Sequence, residues 1–241
     1  MKIKSFPAKK SIALLLDPDK AKGDSLQNIL KVAEDNNTDY ILAGGSLTFN
    51  SIDNLIDAVR RLCSIPVILF PGNLLQLTHK ADAILLLSLI SGRNPELLIG
   101  NHVIAAPYLK DIKDKLVPVG YILVSCGTKT SVEYISQTEA IPSDKPEIAI
   151  ATALAGEMLG LRMIYLEAGS GAGKPIPLSF IKTVRKNISI PLAVGGGITD
   201  RNEVKEIFNA GADLIILGNG CEKDPDLLAN ACRIRDEFRK L

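Results

Sequence analysis

The chain has 241 residues, 46% of them hydrophobic and 23% charged, with a formal net charge of +1. This composition excludes a disordered chain, and the charge gives no electrostatic reason to expect nucleic acid or an anionic membrane as partner. The length suits one (β/α)8 barrel and can bury a core without disulfide or metal staples.

The first ten residues are basic, and the apolar run at 12–16 is too short for a signal-peptide core, being cut by Asp17 and Pro18. Residues 11–17 read as the first strand and 25–35 as a helix. A strand at 40–43, a helix at 52–62 and a strand at 67–70 follow. Residues 71–80 are short for a full helix. The fourth strand is predicted at 84–90; the longest apolar run, 83–90, cannot span a bilayer. The fifth strand, 119–125, is followed by a polar stretch at 127–145 that delays the next helix to 148–159; long loops of this kind in barrels often form lids. Strands at 163–167, 192–194 and 214–217 alternate with helices at 179–186, 201–210 and 226–239. The strands are almost wholly apolar, as parallel strands buried on both faces must be. A small-Asp-apolar pattern opens three of them, at Asp39, Asp82 and Asp213. Eight such strands with interleaved helices predict an α/β TIM barrel spanning 1–241 as a single domain. The rival is an open doubly wound sheet of about six strands. With aromatics at 5% and no Trp, the core must be aliphatic, which suits the layered interior of a barrel. Cys63, Cys126, Cys221 and Cys232 lack CxxC spacing, so no zinc site is expected, and scattered thiols fit a reducing, cytoplasmic setting.

A barrel carries its site at the C-terminal ends of its strands. The polar residues there are Asp17, Ser46, Glu167, Gly195-Gly196-Gly197 and Gly218-Asn219-Gly220. The two glycine runs fall after the last two strands, where barrels hold phosphate on bare backbone N–H groups; either run alone reads equally well as a tight turn. Glu167, before Ala168-Gly169-Ser170-Gly171, is placed as a general base, with an exposed ion pair as its plain alternative. Asp17 reads as a ligand for Mg2+ or as a cap for the next segment, and Ser46 offers a second oxygen; so small a cage makes sense if a substrate diphosphate completes it. Residues 168–175 imitate a nucleotide P-loop but lack its first glycine and its Ser/Thr, so ATP is rejected. His79 and His102 read as surface or capping residues; Lys129 and Lys174, in the expected mouth loops, read either as phosphate contacts or as solvated surface lysines, and a phosphate contact from Arg93 is left open.

Together these motifs resemble one family. Leu16-Asp17-Pro18-Asp19-Lys20, Gly44-Gly45-Ser46, the stretch 88–95, Tyr165-Leu166-Glu167-Ala168-Gly169-Ser170-Gly171-Ala172, Val194-Gly195-Gly196-Gly197-Ile198 and Gly218-Asn219 are similar, in order and over nearly the whole chain, to geranylgeranylglyceryl phosphate synthase. Leu15 stands where some members carry Lys, so that phosphate contact is not carried over, and the Ala-Gly-Ser-Gly-Ala form points to the branch of archaeal and some bacterial members. The resemblance implies transfer of a prenyl group, geranylgeranyl by the family's name, from its diphosphate to the sn-3 hydroxyl of sn-glycerol 1-phosphate in ether-lipid biosynthesis. It implies Asp17 and Ser46 as Mg2+ ligands and Glu167 as base. Glycerol phosphate would be held by Tyr165, Leu166, Glu167, Ala168, Gly169, Ser170, Gly171, Gly196, Gly197, Gly218 and Asn219. A third helix replaced by a loop, a homo-oligomer (dimer or hexamer) and peripheral membrane contact through the product are also implied. The apolar groove is expected near Phe70 and Leu89. The competing readings are another phosphate-binding barrel such as a sugar-phosphate isomerase, and a non-catalytic prenyl- or phosphate-binding protein.

Overall fold

The computed structural model describes residues 6–7, 9–127 and 129–240. Residues 1–5 and 8 of the basic start therefore lie outside the described residues. The strands are β1 (Ser11–Leu16), β2 (Tyr40–Ala43), β3 (Val67–Leu69), β4 (Ala83–Leu89), β5 (Leu116–Ser125), β6 (Ile141–Pro142), β7 (Met163–Glu167), β8 (Leu192–Gly195) and β9 (Leu214–Leu217). They are hydrogen-bonded in the order β4-β3-β2-β1-β9-β8-β7-β5, and β4 also pairs with β5, which closes an eight-stranded parallel barrel; the two-residue β6 only extends β5. Helices α1 (Gly23–Asp35), α2 (Ile52–Leu62), α3 (Asn101–Leu109), α4 (Ser131–Ser136), α5 (Pro146–Met158), α6 (Leu178–Arg185), α7 (Arg201–Asn209), α8 (Asn219–Lys223) and α9 (Pro225–Arg239) surround it. None of the described helices is long and apolar enough to cross a membrane.

Local sequence explains most of these elements. In α2 the buried residues Ile52, Leu55, Ile56 and Val59 follow the helical repeat, and the Ser51 side chain accepts from the Asn54 N–H to cap the start. Asp200 caps α7 and, with Glu203, completes a capping box. Strand parity splits the core in two. Met163 and Tyr165 of β7 pack inside the barrel with Val119, Tyr121 and Ala193, whereas Ile164 and Leu166 face the helices. The recurring aspartates also have a common task. Asp39 accepts from the N–H of Ile12, Asp82 from Val67 and Asp213 from Leu192, so each clamps the start of the neighbouring strand at the bottom of the barrel.

One irregular segment meets the sequence expectation, and others depart from it. Between β3 and β4 the only helical turn among the described residues is the 3-10 turn Leu74–Gln76, so the third helix is indeed replaced by a loop. Strand β5 starts at Leu116, three residues before the predicted Val119, with Pro118 inside it. Proline breaks a ladder by lacking a donor, but here its carbonyl accepts from the Arg162 N–H at 2.9 Å. Helices α3 and α4 have no counterpart in the predicted elements. Helix α3 contains Pro107 and is apolar on more than one face, so its repeat is masked. The polar stretch at 127–145 holds α4, started by a capping box between Thr130 and Glu133.

Candidate active site

Two cavities open at the C-terminal end of the barrel and share a wall. The polar one is lined by the loops after β1, β7, β8 and β9, and contains Asp17, Ser46, Tyr165, Glu167, Gly169, Ser170, Gly171, Gly196, Gly197, Gly218 and Asn219. The structure therefore brings together most of the predicted site residues. The second cavity is an apolar groove walled by β4, α3, α4 and the loop after β3, with Phe70, Leu74, Leu87, Leu89 and Leu97 among its lining. Gly45, Ser46, Phe70, Tyr121 and Val132 belong to both.

Glu167 ends β7 in register with Leu123 of β5 and Gly195 of β8. Its parity turns it into the barrel mouth, and only 6% of its surface is exposed. Oε1 accepts from the Gly169 N–H at 2.7 Å, and Oε2 accepts from the Tyr165 hydroxyl. Burial pushes the Glu167 carboxyl above its ordinary pKa, while the bonds from Tyr165 and Gly169 pull the other way. Such a carboxylate has lost much of its hydration yet stays oriented, which suits a proton acceptor. The neighbouring glycines are needed for space. A Cβ on Gly196, whose φ is +83°, would lie 2.4 Å from Glu167 Oε1, and one on Gly195 would lie 2.4 Å from the Tyr165 hydroxyl.

Around the cavity the loops are tied together by side chains. Asn219, the first residue of α8, donates from Nδ2 to Ser170 Oγ at 3.1 Å and accepts on Oδ1 from Lys20 Nζ at 2.9 Å. Lys20 also lies 3.7 Å from Glu222. The lining includes the cations Lys20 and Lys223 but not Lys129, Lys174 or Arg93. Arg93 donates instead to the carbonyls of Ile90 and Gly92.

Asp17 follows β1, and its Oδ1 accepts from the Asp19 N–H at 2.9 Å. Its Oδ2 lies over Gly45, where a Cβ would approach to 3.3 Å, so Asp17 and the Gly45-Ser46 turn converge. Asp19 fastens the two loops by accepting from the N–H groups of Phe49 and Asn50, at 2.9 and 2.8 Å. The Asn50 side chain and these amides hold the Asp19 carboxyl below its ordinary pKa. Buried Gln76 donates to the Gly45 carbonyl at 2.8 Å and fixes the turn from the other side. Among the described residues no three or more His, Cys, Asp or Glu side chains converge on a point. One carboxylate with one hydroxyl fits a hard cation that takes most of its oxygens from a phosphorylated ligand.

Some sequence expectations look different in three dimensions. The side chains of Leu166 and Ala168 pack in the outer layer against the helices, so either could meet a ligand only through its backbone. The Ala168 N–H is already bonded to the Gly195 carbonyl at 3.0 Å. His79 is exposed, as predicted. His102 is not a surface residue. It sits half-buried in the apolar groove with Nε2 3.3 Å from Ser88 Oγ and a buried, unpartnered Nδ1, and burial lowers its pKa. Tyr121 was not legible as a site residue, because nothing local distinguishes it from a core aromatic. Lys20 lay inside a motif, but its bond to Asn219 joins residues 199 apart in the chain, brought together by the pairing of β1 with β9.

A family model described as the PcrB family matches residues 7–234. The chain is 51% identical over 233 residues to a geranylgeranylglyceryl phosphate synthase of Spirosoma linguale, covering 96% of this chain and 94% of that one. It is 36% identical over 229 residues to the enzyme of that name in Korarchaeum cryptofilum, covering 95% and 94%. Its structure is similar, with a TM-score of 0.87 and 31% identity, to (S)-3-O-geranylgeranylglyceryl phosphate synthase from Thermoplasma acidophilum in complex with sn-glycerol-1-phosphate, over 97% of this chain and 95% of that one. Likeness to orotidine 5'-monophosphate decarboxylase from Methanocaldococcus jannaschii, at a TM-score of 0.62 and 15% identity, shows the barrel fold alone. On the match from residue 7 to residue 234 and the identity to these synthases, the chain belongs to the PcrB family.

Proposed function

We propose that this chain is a geranylgeranylglyceryl phosphate synthase, a prenyltransferase that joins the prenyl group of a prenyl diphosphate to the sn-3 hydroxyl of sn-glycerol 1-phosphate. The observation that carries this reading is the placement of Glu167. It is the one buried carboxylate among the described residues, and its cavity is glycine-walled and polar on one side and shares Phe70 and Tyr121 with an apolar groove on the other. A phosphate would sit at the turns Gly196-Gly197 and Gly218-Asn219, which line the polar cavity and whose three glycines leave the backbone bare. The glycerol hydroxyl then lies within reach of Glu167, which takes its proton as the oxygen attacks. The prenyl tail runs into the groove. Asp17 and Ser46 would hold Mg2+, which supplies charge neutralisation for the departing diphosphate.

A sugar-phosphate isomerase would need a second acid/base carboxylate opposite the first, and it would have no use for the apolar groove. We read the protein as one barrel domain acting in the cytoplasm. The exposed apolar residues Ile99, Val103, Ile104 and Tyr108, on and just before α3, support a homo-oligomer. Incubation with sn-glycerol 1-phosphate, Mg2+ and a ladder of prenyl diphosphates, with product masses read out, tests the reaction. Consumption of no member of the ladder would overturn it.

A further inference from the structure

Three rings meet where the two cavities join. Phe70, just past β3, and Tyr121, on β5, line both cavities, and Tyr165 lines the polar one. Their centroids are 6.0 Å apart for Phe70 and Tyr121, 5.9 Å for Phe70 and Tyr165, and 5.1 Å for Tyr121 and Tyr165. Tyr121 and Tyr165 are register partners on adjacent strands, and the Tyr165 hydroxyl is bonded to Glu167. The chain has only 6 Phe, 5 Tyr and no Trp, so three aromatics in one wall are a concentration.

We infer that Phe70, Tyr121 and Tyr165 form an aromatic wall that stabilises positive charge on the allylic carbon during prenyl transfer, with Phe70 and Tyr121 as catalytic residues. This rests on the prenyl-transfer reading. In that reaction the hydroxyl oxygen forms a bond to the first prenyl carbon. The bond from that carbon to the diphosphate oxygen breaks, and its electron pair leaves with the diphosphate. The hydroxyl proton passes to Glu167. The attacked carbon gains positive character while the two bonds exchange.

Distance places that carbon at the wall. The hydroxyl must come within about 3 Å of the Glu167 carboxylate to give up its proton, and the carbon within about 3.5 Å of the hydroxyl oxygen. The tail must leave that point toward the groove, and Phe70 and Tyr121 border the way. Ring faces attract a cation within roughly 6 Å of their centroid, and the attraction grows when water is excluded, as it is beside buried Tyr121 and Tyr165. The ionisable groups lining the polar cavity are Asp17, Lys20, Glu167, Glu222, Lys223 and the hydroxyls of the two tyrosines, and His102 lines the groove. Of the carboxylates, Glu167 is the one bonded to this wall, and it loses its charge as it takes the proton, which leaves the rings to meet the charge on carbon.

The test replaces Phe70 with phenylalanines carrying one, two and three ring fluorines, which weaken the negative ring face at nearly constant shape. The single-turnover rate constant with sn-glycerol 1-phosphate and geranylgeranyl diphosphate should fall stepwise with each fluorine. The dissociation constant of a non-reactive thiolo analogue of the diphosphate should stay unchanged. Phe70→Leu should lower the rate about ten- to thirtyfold, and Tyr121→Phe, which keeps a ring, far less than Tyr121→Leu. A flat fluorine series in a protein whose unmodified form turns over would overturn the aromatic wall and leave prenyl transfer standing. Absence of turnover by the unmodified protein would overturn prenyl transfer itself, and the wall with it.

Discussion

Replacing Glu167 by Gln separates its chemistry from its place in the fold. The amide has the shape of the carboxylate, but one oxygen becomes NH2. The Gly169 N–H can only donate, so the amide oxygen must take the position now bonded to it at 2.7 Å. The NH2 then faces the Tyr165 hydroxyl, which accepts as readily as it donates. Both contacts survive, but the second is reversed, so the Tyr165 hydroxyl accepts and its proton loses the acceptor it has in the wild type. The sign of the stability change follows from the raised pKa of Glu167. A carboxyl whose folded pKa lies above its unfolded value near 4.5 contributes stability that is fully present below that value. The contribution is lost as pH rises through the folded pKa. Gln has no such loss, so the stability of Glu167→Gln should show a flatter pH dependence above about pH 4.5 than the wild type. Loss of the base lowers kcat by roughly 10²–10⁴-fold, a barrier increase of about 2.7–5.5 kcal/mol. Thermal melts at pH 4 and pH 8, single-turnover kinetics, and calorimetric binding of sn-glycerol 1-phosphate check the three statements together. Unchanged kcat would refute the base. Collapse of glycerol phosphate binding along with the rate would reassign Glu167 to orienting the substrate.

Tyr165→Phe removes a donor that favours the ionised form of Glu167, so the acid limb of kcat/KM should move to higher pH than in the wild type. The orphaned carboxylate oxygen should cost about 1–3 kcal/mol of stability, and an unmoved limb would count against the bond. Gly196→Ala forces a side chain to φ +83° with its Cβ 2.4 Å from Glu167 Oε1 and 2.8 Å from the Gly169 nitrogen. The left-handed backbone alone costs roughly 1–2 kcal/mol, or about 2–8 °C in Tm for a chain of this size. Displacing Glu167 by about 1 Å should cost on the order of 100-fold in kcat; retained activity would show that the turn yields. Asp17→Asn keeps an oxygen for the Asp19 N–H, so the protein should stay folded and still bind glycerol phosphate while turnover is lost. Near-wild-type activity with Mg2+ would remove Asp17 from the metal site.

By itself the sequence determined the barrel, the positions of its eight strands and the identity of the mouth residues. Parallel strands buried on both faces must be apolar throughout, and the turns after β7, β8 and β9 need glycine where a Cβ would collide, so both leave a local mark. The repeated Asp39, Asp82 and Asp213 were visible as a pattern, although their shared bond to a neighbouring strand was not. Only the tertiary structure decided which way those residues face and what they meet. Parity sent Leu166 outward and Glu167 inward from one motif. Pairing of β5 with β7 set Tyr121 beside Tyr165, residues 44 apart in the chain with no local sign of their contact. The groove wall made by α3 and α4 was hidden because its apolar residues serve a cavity instead of one helix face, and a cavity has no period along the chain. The raised pKa of Glu167 belongs to the same class, since it depends on how much water the surrounding loops exclude from one carboxylate.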